Sequence, residues 1–289
     1  MLGLGVWGRR VLIGLPFAWL ALFFLLPLVI VAGISLSHAV DAIPPYAPLV
    51  SGGAIHVSLD NYRTLAGGCL RAYGESLAAA ASATVLCLVL GYPVAFAIAR
   101  APGVWRHLLL FFVLLPFWTS LLIRVYAWIA ILQPTGLLNR VLLGLGLIHA
   151  PLVLVNNFTA VEIGLVYSYL PFMILPLYGV LSQLDESVLE AAADLGARPW
   201  RTFLGVVLPL SLPGVAAGAL LVFIPAVGEF VIPDLLGGPT TLMVGKVLWQ
   251  EFFENVDWPE AAAVAMVLVV LLTLPLLVVQ RFIERERPT

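Results

Sequence analysis

The chain has 289 residues, of which 62% are hydrophobic and only 10% are charged. Soluble globular proteins carry about 25% charged residues, so this composition excludes a soluble domain and predicts an all-α integral membrane protein. The formal net charge of -2 gives no sign of a nucleic-acid partner. Two cysteines and four scattered histidines provide no disulfide framework and no metal site.

Six stretches are long and apolar enough to span a membrane, which takes about 20 residues. They cover approximately residues 11–36, 76–98, 108–132, 161–181, 206–232 and 261–279. We therefore predict a first transmembrane helix with an outer loop (1–75), a core domain of five helices (76–279) and a short cytoplasmic tail (280–289). Within the core, residues 182–205 form a cytoplasmic loop in which Arg, Glu and Asp cluster between two apolar runs.

The segment 133–160 is apolar enough to suggest a seventh span. Charge placement decides against it, because short cytoplasmic loops are enriched in Lys and Arg. With six spans and both termini in the cytoplasm, most arginines lie inside, whereas a seventh span would move several of them out. We therefore expect residues 139–155 to lie on the outer rim.

Pro116 and several aromatic residues mark the third predicted span. Proline in a membrane helix frees backbone groups, which must then be satisfied inside protein or in a wet cavity. Trp118, Tyr126 and Trp128 could stack on an amine through their negative ring faces. An ordinary aromatic belt at the membrane surface is an equal alternative.

The loop after the fourth span has the pattern of a helix, a break and a second helix. Ser187 followed by Glu190 fits a capping box, and Gly196 fits a left-handed stop. Pro199 fits the first turn of the next helix. Two short helices are thus expected to meet at a glycine elbow.

Acidic residues are concentrated in the outer loops and near the outer ends of the spans. The negative potential that they produce there attracts cations. Topology alone accounts for part of this asymmetry. Glu229, between two prolines in an apolar run, is the best candidate for a functional acid. Capping a helix or pairing with Arg124 is an equal alternative, and Glu162 is another acid that could pair with Arg124. Further candidates for a substrate pathway are Tyr167, Tyr169 and Asp234.

Residues Glu190-Ala191-Ala192, then Gly196, then Val206-Val207-Leu208-Pro209 resemble the EAA loop of importer-type ABC transporter permeases. The resemblance implies a type I importer permease fold. It also implies that this loop couples to a separate ATPase, through Glu190, Ala191, Ala192, Gly196, Arg198, Pro199 and Arg201.

The runs PFWTSLLIRVYAW, GEFVIPDLLGG and VLWQEFFENVDWP resemble the polyamine branch of that family, especially its putrescine-type subunits. This implies a bacterial inner-membrane permease for putrescine or spermidine. The implied partners are a second permease, an ABC ATPase dimer and an extracytoplasmic substrate-binding protein. Another small amine or an amino-acid derivative is an alternative substrate.

The chain itself has no ATP-hydrolysing motif and no catalytic or metal-binding cluster, so we expect no catalytic residues and no cofactor in it. ATP and Mg are expected on the partner ATPase. An ATPase-independent secondary transporter and a membrane scaffold subunit are lower-ranked alternatives.

Overall fold

A computed structural model describes residues 6–51, 54–239 and 241–285. Most of the described chain is helical, and its two short strands, β1 (Val50–Ser51) and β2 (Ala54–Ile55), pair antiparallel. The helices in chain order are α1 (Val6–Leu20), α2 (Leu26–Ser35), α3 (Asp60–Gly68), α4 (Leu70–Arg100), α5 (Gly103–Leu114), α6 (Leu121–Leu132), α7 (Leu137–Gly144), α8 (Phe158–Leu181), α9 (Glu186–Asp194), α10 (Pro199–Thr202), α11 (Leu208–Val227), α12 (Val231–Leu236), α13 (Val244–Trp249) and α14 (Trp258–Arg285).

Six helical segments of the described residues are long and apolar enough to cross a membrane, which confirms the predicted number of spans. They are Leu12–Ser35, Leu70–Arg100, Leu121–Gly144, Phe158–Leu181, Pro199–Val227 and Trp258–Leu277. The first consists of α1 and α2 joined by a π-helical turn at Ala21–Leu25, and the fifth joins α10 to α11 through a similar turn at Phe203–Val207.

The third span differs from the prediction. The predicted bounds, 108–132, are wrong, because α5 ends at Leu114 and a 3₁₀ turn, Leu115–Trp118, separates it from α6. Pro116 lies in this turn, as expected of a residue that cannot continue the helical hydrogen bonds. The segment that is long enough to span is Leu121–Gly144, which takes in α7 and part of the predicted outer rim.

The asparagine side chain of Asn139 holds the chain together after this third segment. Its amide donates to the carbonyl oxygens of Gln133 (3.1 Å) and Leu152 (2.9 Å), and its Oδ1 accepts from the Leu152 N–H (2.8 Å). Asn139 is fully buried, so these bonds satisfy a polar group that would otherwise be costly.

The chain divides into two compact units, of which the first comprises Met1–Leu70 and Val247–Leu271. In this unit α3 is tied to the end of α2, because the Asn61 amide donates to the carbonyl oxygens of Ser35 and Ser37, each at 2.9 Å. The hydroxyl groups of Ser35 and Tyr62 also hydrogen-bond, at 2.8 Å.

The second unit comprises Arg71–Lys246 and Leu272–Thr289. Its most extensive helix contact is between α8 and α11. A Cβ added at Gly218 would lie 2.7 Å from the Met173 sulfur, and one added at Gly214 would lie 3.1 Å from the Pro176 carbonyl oxygen. Small residues therefore let these two spans approach closely, as is common for membrane helices.

Candidate functional site

The glycine elbow predicted from the sequence is present between α9 and α10. Gly196 has φ +76°, in the left-handed region. The N–H of Gly196 donates to the Ala193 carbonyl (2.8 Å), and the N–H of Ala197 donates to the Ala192 carbonyl (3.1 Å). These two bonds form a Schellman motif, which satisfies the last carbonyls of α9. Pro199 occupies the first turn of α10, as predicted.

The start of α9 differs from the predicted capping box. The N-cap residue is Asp185, whose carboxylate accepts the Ser187 N–H at 3.0 Å, and Ser187 lies within the first turn. Aspartate is among the preferred N-cap residues, and it precedes the serine that matched the capping box. The same N–H lowers the pKa of the exposed Asp185 carboxyl below its ordinary value.

Asp185→Ala should raise deuterium exchange at the first amides of α9, whereas Asp185→Asn should preserve protection, because asparagine can also cap. The folded-state pKa of Asp185 is depressed, so the stabilisation by its charge is present at neutral pH. It should disappear as the pH falls through that pKa. Hydrogen-exchange mass spectrometry at several pH values, corrected for intrinsic rates, measures both effects. Asp194→Ala, at the other end of α9, is the control and should leave these amides unchanged.

The second arm of the elbow is longer than the short helix predicted. Helix α10 continues through the turn Phe203–Val207 into α11, so that Pro199–Val227 is one helical segment. The elbow is therefore continuous with the fifth span.

The predicted coupling residues lie together on this elbow. Glu190 and Ala191 are exposed on α9 while Ala192 is buried beneath them. Arg198 is the N-cap residue of α10, and the Arg201 guanidinium lies 5.2 Å from the centre of the Trp200 ring.

Sequence reasoning missed two apolar members of the elbow surface. Leu195 is 89% exposed and Trp200 is 56% exposed. Large apolar side chains on a polar loop are the signal that could have identified them, because such patches often mark interfaces. The elbow surface therefore combines Glu190, two arginines, Leu195 and Trp200.

The elbow also contacts the end of the second span. The carboxylate of Glu186 lies 3.4 Å from the Arg100 guanidinium. This ion pair is half exposed, so it contributes little, about 0–1 kcal/mol. Next to it, an apolar cavity of about 260 Å³ is lined by residues of α4, α9 and the start of the fifth span, including Phe96, Leu189 and Phe203.

The candidate pathway residues only partly come together. Glu229 was predicted inside the fifth span, but α11 ends at Val227 and Glu229 lies in the break before α12. Its Oε1 accepts the N–H groups of Phe230 (3.1 Å) and Val231 (3.0 Å). Its Oε2 accepts the Tyr169 hydroxyl at 2.5 Å. Glu229 precedes the N-cap residue Phe230, and its carboxylate thus accepts the first two N–H groups at the start of α12 and joins this helix to α8.

Trp128 and Tyr167 also meet, in an edge contact with ring centres 5.5 Å apart. Trp118 makes an edge contact with Phe111 yet remains 78% exposed, and Tyr126 is 58% exposed. The two exposed rings are available to a ligand, to lipid or to a partner helix.

The other acids have separate local partners. Glu162 is buried, and its Oε1 accepts the Ser82 hydroxyl at 2.6 Å, while Oε2 has no hydrogen-bond partner among the described residues. Asp234 pairs with Lys246 at 3.1 Å. The predicted ion pair of Arg124 with Glu162 or Glu229 is not formed in this conformation. Within the described chain, no acid lies within ion-pair distance of Arg124, whose Nε and Nη1 have no hydrogen-bond partner.

Comparison with known proteins defines the class to which this architecture belongs. The fold resembles a chain of a bacterial alginate ABC transporter in complex with an alginate pentasaccharide-bound periplasmic protein (TM-score 0.72, 16% identity, 96% of this chain and 94% of that one). It also resembles the MetNI methionine ABC transporter (TM-score 0.56, 19% identity, 76% of this chain and 96% of that one). The chain thus shares its fold with chains of these two transporters.

A family model for "binding-protein-dependent transport system inner membrane component" matches residues 87–287. Curated relatives include the spermidine/putrescine transport system permease protein PotB of Haemophilus influenzae, 41% identical over 94% of this chain and 93% of the relative. PotB of Escherichia coli is 43% identical over 91% and 93%. The chain belongs to this family of inner-membrane permease components. It is a multi-pass, non-catalytic subunit of an ABC transporter.

Proposed function

We propose that this chain is one permease of an ATP-driven importer for polyamines, putrescine or spermidine. The observation that carries the proposal is the identity of 41–43% to spermidine/putrescine permeases along more than nine-tenths of the chain. Two further features support it: an elbow with the spacing of the coupling loop, and an outer half rich in acids.

The proposed complex contains a second permease, an ABC ATPase dimer and an extracytoplasmic binding protein. Both termini and the elbow face the cytoplasm, in agreement with the arginine-rich loops on that side. The elbow surface, with Glu190, Leu195, Trp200 and the two arginines, docks on the ATPase, which binds ATP and Mg. The exposed apolar side chains supply buried area and the charged ones supply orientation.

Transport then follows from the connection of the elbow to the fifth span. Closure of the ATPase dimer on ATP moves α9 and α10, and the unbroken helical segment Pro199–Val227 carries this movement towards the break at Gly228. Glu229 lies in that break, two residues before α12, so it lies where a change in the fifth span would alter the path for a cation. Trp118, Tyr126, Trp128, Tyr167, Tyr169 and Glu229 remain the candidate pathway residues, with Glu162 and Asp234 as outer acids.

The test is ATP hydrolysis by the reconstituted complex, measured with its binding protein and with or without putrescine or spermidine. We expect at least one polyamine to stimulate hydrolysis. Stimulation only by another amine or by an amino-acid derivative would overturn the polyamine assignment but keep the importer. Uptake that proceeds without ATP would overturn the importer itself.

A further inference from the structure

Two segments of the first unit enclose an open cleft that the transport mechanism does not use. Residues 39–45 form one wall and residues 255–257 the other, around a cavity of about 540 Å³. We call it the loop cleft. It lies where the chain leaves the first span and approaches the last one, so in the proposed orientation it opens to the outer aqueous side.

Both walls are held in place by contacts within the unit. The Ala47 N–H donates to the His38 carbonyl (2.9 Å), and Ala39 and Tyr46 form a β-bridge, so residues 39–46 make a closed loop. The Tyr46 ring stacks on Trp258 with centres 6.3 Å apart, and Trp258 stacks on Phe252 at 5.1 Å. The cleft is therefore pre-formed, which lowers the entropy lost on binding.

The second wall has an unusual backbone. Val256 has φ +55°, in the left-handed region that β-branched residues rarely adopt. The N–H groups on either side of it, from Asn255 to the Gln250 carbonyl and from Asp257 to the Glu251 carbonyl, are both 2.9 Å bonds. This backbone conformation places the Val256 side chain, which is 50% exposed, at the edge of the cleft.

The residues that line the cleft carry negative charge, and the side chains at its edge are apolar. Asp41 and Asp257 line the cleft, and none of the described residues that line it is Lys, Arg or His. Asp257 uses one oxygen to accept the Glu260 N–H (2.9 Å), whereas the exposed Asp41 carboxylate makes no hydrogen bond or ion pair with the described residues. Ile43 is fully exposed beside it.

We propose that the loop cleft receives a lysine or arginine side chain of the extracytoplasmic binding protein. The proposal rests on the proposed function for the orientation and for the existence of this partner. A basic side chain complements Asp41 and Asp257, and the protein surface around it covers Ile43 and Val256. A small hydrated polyamine would leave these two side chains in water, so the apolar edge favours a protein partner.

The test is the charge reversal Asp41→Arg in the full complex, reconstituted in nanodiscs. Binding of labelled, purified polyamine-binding protein from the source organism is titrated directly, and ATP hydrolysis is measured in parallel. Asp41→Arg should raise the dissociation constant by about tenfold, because it places like charges together. It should leave the maximal stimulation of hydrolysis unchanged. Added salt should weaken wild-type binding more than mutant binding.

Glu254→Arg is the matched control, because Glu254 is an exposed acid of the same unit that does not line the cleft. It should change the dissociation constant by less than about twofold, because its exposed side chain does not line the cleft and charges in water are screened by salt. Ile43→Ser should weaken binding without changing its salt dependence. Equal effects of Asp41→Arg and Glu254→Arg, or none from either, would overturn the proposal.

Two further outcomes separate this proposal from its alternatives. If the cleft bound the polyamine itself, Asp41→Arg would raise the polyamine concentration needed at saturating binding protein and leave protein binding unchanged, which overturns docking. A wild-type complex that binds the protein but ignores polyamines would overturn the substrate class and leave docking intact. A wild-type complex that does not bind the protein overturns docking.

Discussion

Gly196→Asp should uncouple ATP hydrolysis from transport while the protein still reaches the membrane. Gly196 has φ +76°, and a Cβ there would meet no atom within 4 Å. The cost is therefore conformational, about 1–2 kcal/mol for a side-chain-bearing residue in the left-handed region. That cost acts on a turn held by only two Schellman hydrogen bonds, so the angle between α9 and α10 should change.

The readouts are polyamine uptake and polyamine-stimulated ATP hydrolysis in proteoliposomes. We expect uptake to fall by about tenfold or more. A small change in the angle between α9 and α10 would misalign the elbow surface with the ATPase on which it is proposed to dock. Membrane abundance and the melting temperature of the detergent-solubilised complex should remain near wild type, because a Cβ at Gly196 would contact none of the described residues and the strain is confined to the turn.

Gly205→Asp is the matched control for this prediction. Gly205 also has open space around its Cα, but it lies in the helical turn Phe203–Val207 with no positive φ. It should keep most of the coupling, and the effect of Gly196→Asn should lie between the two, since asparagine is the residue that most often replaces glycine at this position after a helix. If Gly196→Asp showed the same stimulation of hydrolysis and the same uptake as the wild type, the geometry of the elbow would not be what transmits movement from the ATPase to the fifth span.

The elbow was predictable because its signals are local. A glycine at a helix end and a proline three residues later specify their own backbone conformations, so Gly196 and Pro199 were placed correctly. The N-cap residue of α9 was not predicted correctly, because the local sequence offers two candidates. Asp185 and Ser187 are both good cap residues two positions apart, and the choice between them depends on which N–H the side chain reaches in the folded chain.

The third span was only partly predictable. Hydropathy averages along the chain and shows apolar character from 103 to 144, but it does not locate where the helix breaks. The 3₁₀ turn at Leu115–Trp118 and the Asn139 contacts with Gln133 and Leu152 determine the path there. Those contacts join residues up to 13 positions apart, beyond the reach of helical periodicity.

Glu229, at the end of the fifth span, shows most clearly that a local sequence pattern does not predict contacts between distant residues. An apolar run through residue 232 predicted that Glu229 lies inside a helix, yet the helix stops at Val227. The contact that determines its role joins it to Tyr169, 60 positions earlier. Arg124 was expected to neutralise an acid, but donors without net charge satisfy Glu229 instead, and no local pattern distinguishes these two outcomes.

Glu229→Gln should reduce polyamine transport more than it reduces stability. A glutamine has nearly the same shape. Its carbonyl oxygen can still accept the N–H groups of Phe230 and Val231, and its amide can donate to the Tyr169 hydroxyl oxygen. The charge alone is removed. If a cation passes this break, transport should fall by about tenfold for each roughly 1.4 kcal/mol of lost attraction.

Glu229→Ala and Tyr169→Phe separate the charge from the cap. Alanine leaves two backbone N–H groups without their acceptor, at about 1–3 kcal/mol for each one that stays buried. It should therefore lower the melting temperature as well as transport. Phenylalanine at 169 removes one hydrogen bond but keeps both the charge and the cap, so it should affect transport less than Glu229→Gln does.

Initial rates of labelled putrescine and spermidine uptake, with melting temperatures of each variant, provide the measurements. Uptake by Glu229→Gln equal to wild type, together with a destabilised Glu229→Ala, would assign Glu229 to capping α12 and remove it from the pathway. Reduced uptake by Glu229→Gln at an unchanged melting temperature would mean that the charge acts on the substrate. Because Tyr169 donates to that same carboxylate, a passing ammonium group would then compete with the tyrosine hydroxyl for Glu229 Oε2.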